Sequence, residues 1–336
     1  MYVLGIESTC DETACSIVHA GKEILANVVS SQIDLHEQYG GVVPELACRR
    51  HIDVILPVLK ECLAQARLQL TQLDLIAVAN GPGLIGALLI GLNTAKSLSL
   101  ALGKPLIGVN HVEAHLYAAL MSHSEEVQFP CLGIVLSGGH TTLLKIEALG
   151  RYALLSETVD DAIGEAFDKI AKILDLPYPG GPQIEALALQ GDAHRFPLKP
   201  GKVKGSPLHF SFSGLKTGVL YAVKGQNGAQ TNSFNQQDKA DLAASFQRVA
   251  LNDILEKTVI AAHQHNCSTL VFGGGVTHNN ALRRLFGEKA PHLNCLWPGP
   301  GLSLDNGAMI AGLGYHKFLE KGGDPLDLDA LTRIAF

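Results

Sequence analysis

Short runs of apolar and β-branched residues alternate along the chain with longer segments of helical periodicity. The first part of the chain predicts strands at Val3–Glu7, Ala14–Val18, Leu25–Val29, Leu73–Ala79 and Pro105–Val109. The later part predicts strands at Cys131–Leu136, Thr142–Ile146, Leu154–Thr158 and Thr269–Phe272. Helices are predicted over Pro44–Leu68, Leu84–Leu102, His111–Ser122, Asp160–Leu174, Lys239–His265, Asn279–Phe286 and Ser303–Leu319. Strands that alternate with helices in this way predict an α/β fold with mostly parallel or mixed sheets.

One arrangement of elements occurs twice in the chain. Leu4-Gly5-Ile6 leads into a polar turn and a returning strand, and Leu132-Gly133-Ile134 does the same. A later strand in each copy ends in a glycine-rich loop before a helix, at 80–83 and at 273–275. Two copies of one unit predict two similar lobes with a cleft between them.

Length and composition agree with two folded domains. The chain has 336 residues, of which 47% are hydrophobic and 17% charged, so it has ample material for a buried core. We expect a first lobe at 1–128, joined by a helix at 303–320, and a second lobe at 129–302. The net charge of −6 disfavours a protein whose main task is to coat nucleic acid. A nucleic-acid partner would be met by a local basic patch or by another subunit.

Cysteine usage and hydropathy indicate a cytoplasmic protein without a membrane span. The seven cysteines contain no C-x-x-C pair and are typical of reduced thiols. No basic segment precedes the first predicted strand, so no signal peptide is expected. The most apolar stretch, Leu84–Leu102, includes Asn93, Thr94 and Lys96, and we interpret it as a packed internal helix.

Two histidines have the spacing of metal ligands. His111 and His115 are four residues apart, which places both imidazoles on one face of a helix. The pattern differs from H-E-x-x-H because Glu113 follows the first histidine by two positions, so a zinc protease would lack its general base. Asp305, near a predicted helix start, is the candidate third ligand. The alternatives are a polar surface pair of histidines and an aspartate that compensates a helix dipole.

The turn Ser137-Gly138-Gly139-His140-Thr141 is a candidate phosphate site. Glycine leaves backbone amides unobstructed, and concave runs of amides bind anions. The alternative is an ordinary tight hairpin. The equivalent turn in the first copy, Ser8–Thr13, is rich in hydroxyls, and the two turns together would form a phosphate clamp. The glycines at 273–275 would either admit a flat ligand or permit tight packing.

The segment Gly81–Gly86 satisfies the dinucleotide-binding pattern G-x-G-x-x-G. The acidic residue expected about 20 positions later is missing, because the next predicted strand ends in Asn110 and His111. A Rossmann oxidoreductase is therefore disfavoured.

Small basic clusters occur at Lys202 with Lys204, at Arg49 with Arg50, and at Arg283 with Arg284. For each of them an ordinary solvated surface is favoured over an RNA-binding surface.

Taken together, these motifs resemble the TsaD family, the tRNA N6-adenosine threonylcarbamoyltransferases once labelled O-sialoglycoprotein endopeptidases. The matching segments are Gly5–Thr13, Tyr39–Glu45, His111–His115, Ser137–Thr141, Gly164–Lys169, Tyr178–Pro182, Phe212–Thr217 and Asp305–Met309. The resemblance implies the duplicated fold of actin, hexokinase and acetate kinase. That fold agrees with the repeat deduced above.

The resemblance also implies roles for individual residues. His111, His115 and Asp305 match the ligands of one divalent metal, iron(II) by preference and zinc(II) as the alternative. The positions that match the family's adenylate site are Val135, Leu136, Ser137, Gly138, Gly139, Asp168, Gly181, Glu185 and Asn279. As a further hypothesis, Asp11 or Glu12 accepts the proton of the attacking amine.

The implied reaction moves the threonylcarbamoyl group from L-threonylcarbamoyladenylate to N6 of adenosine 37 in tRNAs that read ANN codons, and AMP leaves. The implied partners are a TsaB-like paralogue without a metal site and a TsaE-like ATPase. Three rival functions are a small-molecule kinase of the same fold, a metalloprotease and a non-catalytic scaffold. The kinase would depend on ATP and magnesium, the protease lacks its glutamate, and the scaffold would not need the three ligands.

Overall fold

Two five-stranded sheets with the same strand arrangement form the framework of the protein. The structure, a computed structural model, describes residues 1–123, 127–225 and 234–334. The chain divides into two compact units. Unit 1 comprises Met1–Glu126 and Trp297–Phe336, and unit 2 comprises Val127–Leu296.

Unit 1 contains a mixed sheet in the order β3-β2-β1-β4-β5. Its strands are β1 (Tyr2–Glu7), β2 (Glu12–His19), β3 (Glu23–Ser31), β4 (Leu75–Gly81) and β5 (Leu106–Asn110). Its helices are α1 (Ile33–Glu37), α2 (Pro44–Ala66), α3 (Ile85–Leu102), α4 (His111–Ser122) and α10 (Gly307–Lys321). The central strand β1 is buried from Val3 onward, which explains its uninterrupted apolar sequence.

Unit 2 contains a sheet in the order β10-β9-β6-β7-β8. Its strands are β6 (Cys131–Leu136), β7 (Thr141–Ala148), β8 (Arg151–Glu157), β9 (Thr269–Gly273) and β10 (Asn294–Leu296). Its helices are α5 (Ile163–Ile173), α6 (Gly180–Ala188), α7 (Ser213–Lys224), α8 (Gln236–Gln264) and α9 (Asn280–Lys289). A long loop runs from the end of α6 to the start of α7.

The predicted repeat and the predicted α/β class are confirmed. β1 pairs antiparallel with β2 and parallel with β4, while β6 pairs antiparallel with β7 and parallel with β9. The two sheets therefore have the same topology about β1 and about β6. This is the duplicated arrangement of the actin, hexokinase and acetate kinase type, and each copy has its polar turn at the carboxyl end of the central strand.

Among the described residues, four α-helices or strands were not predicted: α1, α6, α7 and β10. The helix α6 begins with Gly180-Gly181-Pro182, a sequence typical of a turn, and α7 contains Gly214 and Gly218, which lower helix propensity. The strand β10 has three residues, which is too short for a periodic signal. For α6 and α7 tertiary packing outweighs the local preference of the sequence.

Helix α10 packs unusually closely against β1 in unit 1. A Cβ atom added to Gly5 would lie 2.5 Å from the amide nitrogen of Ala311, and one added to Gly307 would lie 2.5 Å from that of Ser16. Only glycine allows this approach of helix and strand backbones. The close packing holds the start of α10, and with it Asp305, over the sheet of unit 1.

Helix α3 is the apolar segment interpreted above as a packed internal helix. Among the described residues it is the one helix long and apolar enough, by length and composition, to cross a membrane. Helix α3 packs against β4 and α2, and the face that includes Ala87, Leu88 and Leu92 is buried. On the other face Ile85 and Leu89 are exposed.

Candidate functional site

Three candidate metal ligands lie together in unit 1. Helix α4 begins at His111, directly after β5, and the side chain of Asn110 caps it by accepting hydrogen bonds from the amides of Val112 and Glu113. This cap fixes the first turn, which carries His111, and His115 follows one turn later on the same face. The Nε2 atoms of His111 and His115 lie 3.6 and 3.2 Å from Oδ1 of Asp305. One ligand atom from each residue lies within 4.8 Å of the others.

These residues fit a bound cation. Ligand atoms about 2.0–2.1 Å from a tetrahedral ion are about 3.3 Å from each other, close to the distances observed. His115 is fully buried, and among the residues that the structure describes neither of its ring nitrogens has a hydrogen-bond partner. A buried polar atom without a hydrogen bond is costly, and a cation placed between Nε2 of His115 and the nearby Asp305 carboxylate would remove that cost. The group of His111, His115 and Asp305 could therefore hold a metal ion.

A second carboxylate orients His111, and sequence reasoning missed it. Glu7, at the end of β1, is fully buried, and its Oε2 lies 2.9 Å from Nδ1 of His111. Its Oε1 accepts a hydrogen bond of 2.7 Å from the amide of Thr9. A carboxylate on Nδ1 keeps the proton there and leaves Nε2 free to bind a cation. A charged residue at the inner end of an apolar strand is the signal that could have identified Glu7.

Glu7 and Asp305 also stabilise positive charge at the imidazole of His111. Burial disfavours the protonated imidazole, but the negative charges of Glu7 and Asp305 outweigh burial and raise the pKa of His111 to about 9.

The turn between β1 and β2 carries Asp11 and Glu12. Burial, followed by the negative charges of Asp11 and Asp305, raises the pKa of Glu12 well above its usual value. The structure thus brings both predicted proton acceptors into the surroundings of the metal cluster. Their position depends on His51 of α2, a residue that sequence reasoning did not single out.

His51 joins α2 to this turn. Its Nε2 lies 2.9 Å from the carbonyl oxygen of Cys10, and its Nδ1 lies 2.7 Å from the hydroxyl of Thr13. The carbonyl can only accept, so Nε2 carries the proton and Nδ1 accepts from Thr13. Burial lowers the pKa of His51, which favours this neutral form. The imidazole holds both ends of the segment that contains Asp11 and Glu12.

The predicted phosphate turn lies in unit 2, at the end of β6. It includes Ser137, Gly138 and Gly139 and follows Val135 and Leu136, the last residues of the strand. The Ser137 amide donates to the carbonyl of His140, and the Ser137 hydroxyl accepts from the amide of that residue, so the turn is closed on itself. A Cβ atom added to either glycine would meet nothing within 4 Å. The outer side of the turn therefore has room for a ligand against the backbone.

The other predicted adenylate residues are connected through α6. Oδ1 of Asp168 on α5 accepts a hydrogen bond of 2.7 Å from the amide of Gly180, next to Gly181. Oε1 of Glu185 accepts one of 2.7 Å from the amide of Asn280, next to Asn279. Three separate stretches of the chain thus meet within unit 2.

Asn279 is more constrained than its predicted role suggests. Its Oδ1 caps α9 by accepting from the amide of Leu282, and its Nδ2 donates to Oε1 of Gln247 at 2.8 Å. One N–H and one lone pair remain for a ligand. The side chain of Asn279 would therefore cap α9, contact Gln247 and bind a ligand at the same time.

The glycine-rich loop after β4 has a packing role. The amide of Leu84 donates to the carbonyl of Thr9 at 2.8 Å, and a Cβ atom on Gly83 would lie 2.6 Å from that oxygen. The loop holds the turn that follows β1. Its sheet also contains antiparallel strands, unlike the Rossmann order.

Comparisons with known proteins identify the family. The profile of the TsaD family, described as tRNA N6-adenosine threonylcarbamoyltransferase, matches residues 23–312. A relative of that name from Protochlamydia amoebophila (strain UWE25) is 63% identical over 335 residues, with 99% of this chain and 98% of the relative covered. One from Symbiobacterium thermophilum is 47% identical over 334 residues, with 99% and 96% covered.

Solved structures agree on the fold. The crystal structure of T. kodakarensis HypF matches 97% of this chain and 49% of its own, with a TM-score of 0.62 and 17% identity. Component A of (R)-2-hydroxyglutaryl-CoA dehydratase from Acidaminococcus fermentans matches 94% and 98%, with a TM-score of 0.54 and 16% identity. At these identities the likeness concerns the fold alone. The sequence matches decide the family: the chain belongs to the TsaD family, the tRNA N6-adenosine threonylcarbamoyltransferases.

Proposed function

We propose that this chain transfers the threonylcarbamoyl group from L-threonylcarbamoyladenylate to N6 of adenosine 37 in tRNAs that read ANN codons. The N6 amine attacks the carbamoyl carbon, the bond from that carbon to the phosphate oxygen breaks, and AMP leaves. The observation that carries the proposal is the match to relatives of this name over 99% of the chain at 63% identity. The buried ligand cluster and the open glycine turn support it, because a scaffold would need neither.

His111, His115 and Asp305 are proposed to hold one divalent ion, iron(II) by preference and zinc(II) as the alternative. Two imidazoles and one carboxylate suit both metals. When bound, such an ion supplies Lewis-acid stabilisation of negative charge on a substrate oxygen. Glu7 would orient the imidazole of His111, and the packing around the fully buried His115 would orient the second imidazole.

Unit 2 is proposed to bind the adenylate. Gly138 and Gly139 are exposed, and an added Cβ atom on either would meet nothing within 4 Å, so a phosphate has room to approach their backbone. A Cβ atom on Gly181 would also meet nothing within 4 Å, so the start of α6 has room for the nucleoside. Asp168, Glu185 and Asn279 would orient it. The substrate is already activated, so positioning supplies much of the rate enhancement.

Asp11 or Glu12, which lie next to each other in the turn after β1, is proposed to accept the proton released by the amine. A carboxylate with a raised pKa is a better base near neutral pH than an ordinary one. Burial and the neighbouring negative charges raise the pKa of Glu12 in that direction. His51 keeps the turn that carries both residues in place.

The TsaB-like paralogue is proposed to cover an apolar surface of unit 1. Ile52 and Leu56 on α2 are 59% and 55% exposed, and Ile85 and Leu89 on the adjoining α3 are 50% and 42% exposed. Apolar side chains exposed together on two packed helices are typical of a protein–protein interface. The TsaE-like ATPase is proposed as a further partner.

The test is reconstitution of the transfer. Radiolabelled threonine, bicarbonate, ATP, tRNA and the partner proteins are incubated with the chain, and label in tRNA is measured. We expect label with the wild type and none with His111→Ala, which should also lose bound metal. His292→Ala, which alters an exposed histidine, is the matched control and should retain both. Phosphoryl transfer from ATP to a small molecule, without label in tRNA, would instead favour the kinase.

A further inference from the structure

Positive charge is concentrated in one segment of this acidic chain. Residues 193–237 contain no Asp or Glu and carry six of the 26 Lys and Arg residues. The other 291 residues carry 20 Lys and Arg against all 32 Asp and Glu. The six cations are Arg195, Lys199, Lys202, Lys204, Lys216 and Lys224. All six lie in the loop before α7 or in α7 itself.

The lysines of this segment are available to a ligand. Four of them are exposed, namely Lys199, Lys202, Lys204 and Lys224. None of the four belongs to an ion pair among the residues that the structure describes. Elsewhere in unit 2 Lys145, Lys169 and Lys239 each contact a carboxylate. The four exposed lysines thus keep their full charge for a partner.

The loop that carries these lysines is held at both ends. At its start, the Arg248 side chain donates to the carbonyl of Ala193 at 2.8 Å. At its end, the buried Lys257 ammonium donates to the carbonyl of His209 at 2.9 Å. The Asp160 carboxylate then accepts hydrogen bonds at the start of α7. A fixed loop loses less conformational entropy when it binds.

The loop that carries the lysines contacts α7. A Cβ atom on Gly218 of α7 would lie 3.1 Å from Leu198, so loop and helix are in contact. The outer face of α7 presents Tyr221, which is 50% exposed, one turn before Lys224. We call Lys199, Lys202, Lys204, Tyr221 and Lys224 the basic surface. It combines unpaired cations with an exposed aromatic ring.

We propose that the basic surface binds the phosphate backbone of the tRNA substrate, an inference that rests on the proposed function. A chain with net charge −6 repels RNA at long range, so binding requires a local reversal of charge. Lysines neutralise phosphates, and an exposed tyrosine can stack on an unpaired base. A protein partner is the weaker alternative, because lysine is depleted in protein–protein interfaces. From the sequence alone, an ordinary solvated surface is favoured for Lys202 and Lys204. The structure leads us to propose RNA binding for them instead.

The experiment compares two double variants that remove the same charge. Lys202→Gln with Lys204→Gln alters the basic surface, and Lys22→Gln with Lys289→Gln alters exposed lysines elsewhere. Binding of full-length tRNA to the whole chain with its partner proteins is measured by fluorescence anisotropy at several salt concentrations. Removing one lysine–phosphate interaction weakens binding about 5- to 8-fold in 0.1 M salt, so the first pair should weaken it about 25- to 60-fold. Its salt slope should fall by about two, and the control should match the wild type.

Kinetics separates this proposal from the proposed function. We expect the Lys202/Lys204 variant to raise the KM for tRNA and to leave the KM for the adenylate and the metal content unchanged. If the wild type modifies tRNA and the variant has the same KM and salt slope, the basic surface is not used, although the function stands. If the wild type does not modify tRNA, the proposed function itself fails. Loss of a protein partner from the variant, with unchanged tRNA affinity, would assign the surface to that partner and overturn the proposal.

Discussion

The substitution Glu7→Gln tests whether the buried carboxylate controls metal binding. Glu7 accepts two hydrogen bonds, one at 2.9 Å from Nδ1–H of His111 and one at 2.7 Å from the Thr9 amide. Glutamine has nearly the same shape but only one acceptor oxygen. If that oxygen keeps the Thr9 amide, the NH2 group faces Nδ1 of His111. The imidazole must then carry its proton on Nε2, the atom that lies 3.6 Å from Asp305 and would bind the ion.

The other orientation of the glutamine is no better. It places the NH2 group against the N–H of Thr9, so two donors face each other in a fully buried position. The variant also removes one negative charge from the surroundings of a divalent cation. Loss of such a carboxylate partner reduces metal affinity about 10- to 100-fold, equivalent to about 1.4–2.7 kcal/mol.

The assay is a titration of metal-free protein with iron(II), under anaerobic conditions, or zinc(II) against a coloured chelator. Glu113→Gln is the matched control, because Glu113 belongs to the same helix as the ligands but contacts Lys317 at 3.3 Å. We expect wild-type affinity in the control and weakened affinity in Glu7→Gln, with both proteins folded by circular dichroism. Equal affinities in the two variants would refute the role assigned to Glu7.

Three further predictions concern stability. Burial lowers the pKa of His51 in the folded state, although the charges of Glu7 and Asp11 oppose this shift. The contribution of the neutral imidazole to folding stability is therefore fully present above pH 6.5 and is lost as pH falls below that value. His51→Gln should therefore flatten the decline of the free energy of unfolding between about pH 6.5 and 5, by at most about 1.4 kcal/mol per pH unit, as measured by urea titration, and an unchanged slope would contradict this. The ammonium of Lys257 lies 2.7 Å from the buried carboxylate of Asp253, so Lys257→Ala leaves that carboxylate without its partner and should lower the free energy of unfolding by about 3–5 kcal/mol. The double variant with Asp253→Ala should recover part of that loss. Gly5→Ala forces α10 away from β1 and should cost about 1–3 kcal/mol and weaken metal binding, whereas Gly138→Ala, with open space around its Cβ, should leave the free energy of unfolding nearly unchanged.

The sequence alone predicts the framework of this protein because its central strands are buried on both faces. Such strands read as continuous apolar runs, and both copies of the unit begin with one, at β1 and at β6. The helix α6 was missed because its first three residues are typical of a turn, although the contact of Gly180 with α5 requires a residue without a side chain.

For the candidate site, prediction succeeded where the ligands share one helix and failed where they meet through the fold. The spacing of His111 and His115 gives their common face directly. Glu7 and His51 belong to β1 and α2, and only the three-dimensional arrangement brings them to the ligand and to the turn that they hold. No local periodicity contains such a contact. Which residue contacts the ligand or the turn is decided by how β1 and α2 pack in the folded chain.

The duplication explains how one fold provides two kinds of chemistry. The turn after β1 and the turn after β6 occupy equivalent positions in sheets of equal topology. The first contains Asp11 and Glu12, whereas the second contains Gly138 and Gly139. Carboxylates suit the acceptance of a proton, and open backbone amides suit an anion. Under the proposed function, the acidic side chains of the turn in unit 1 would serve the attacking amine, and the glycines of the turn in unit 2 would leave its backbone open to the phosphate of the leaving group.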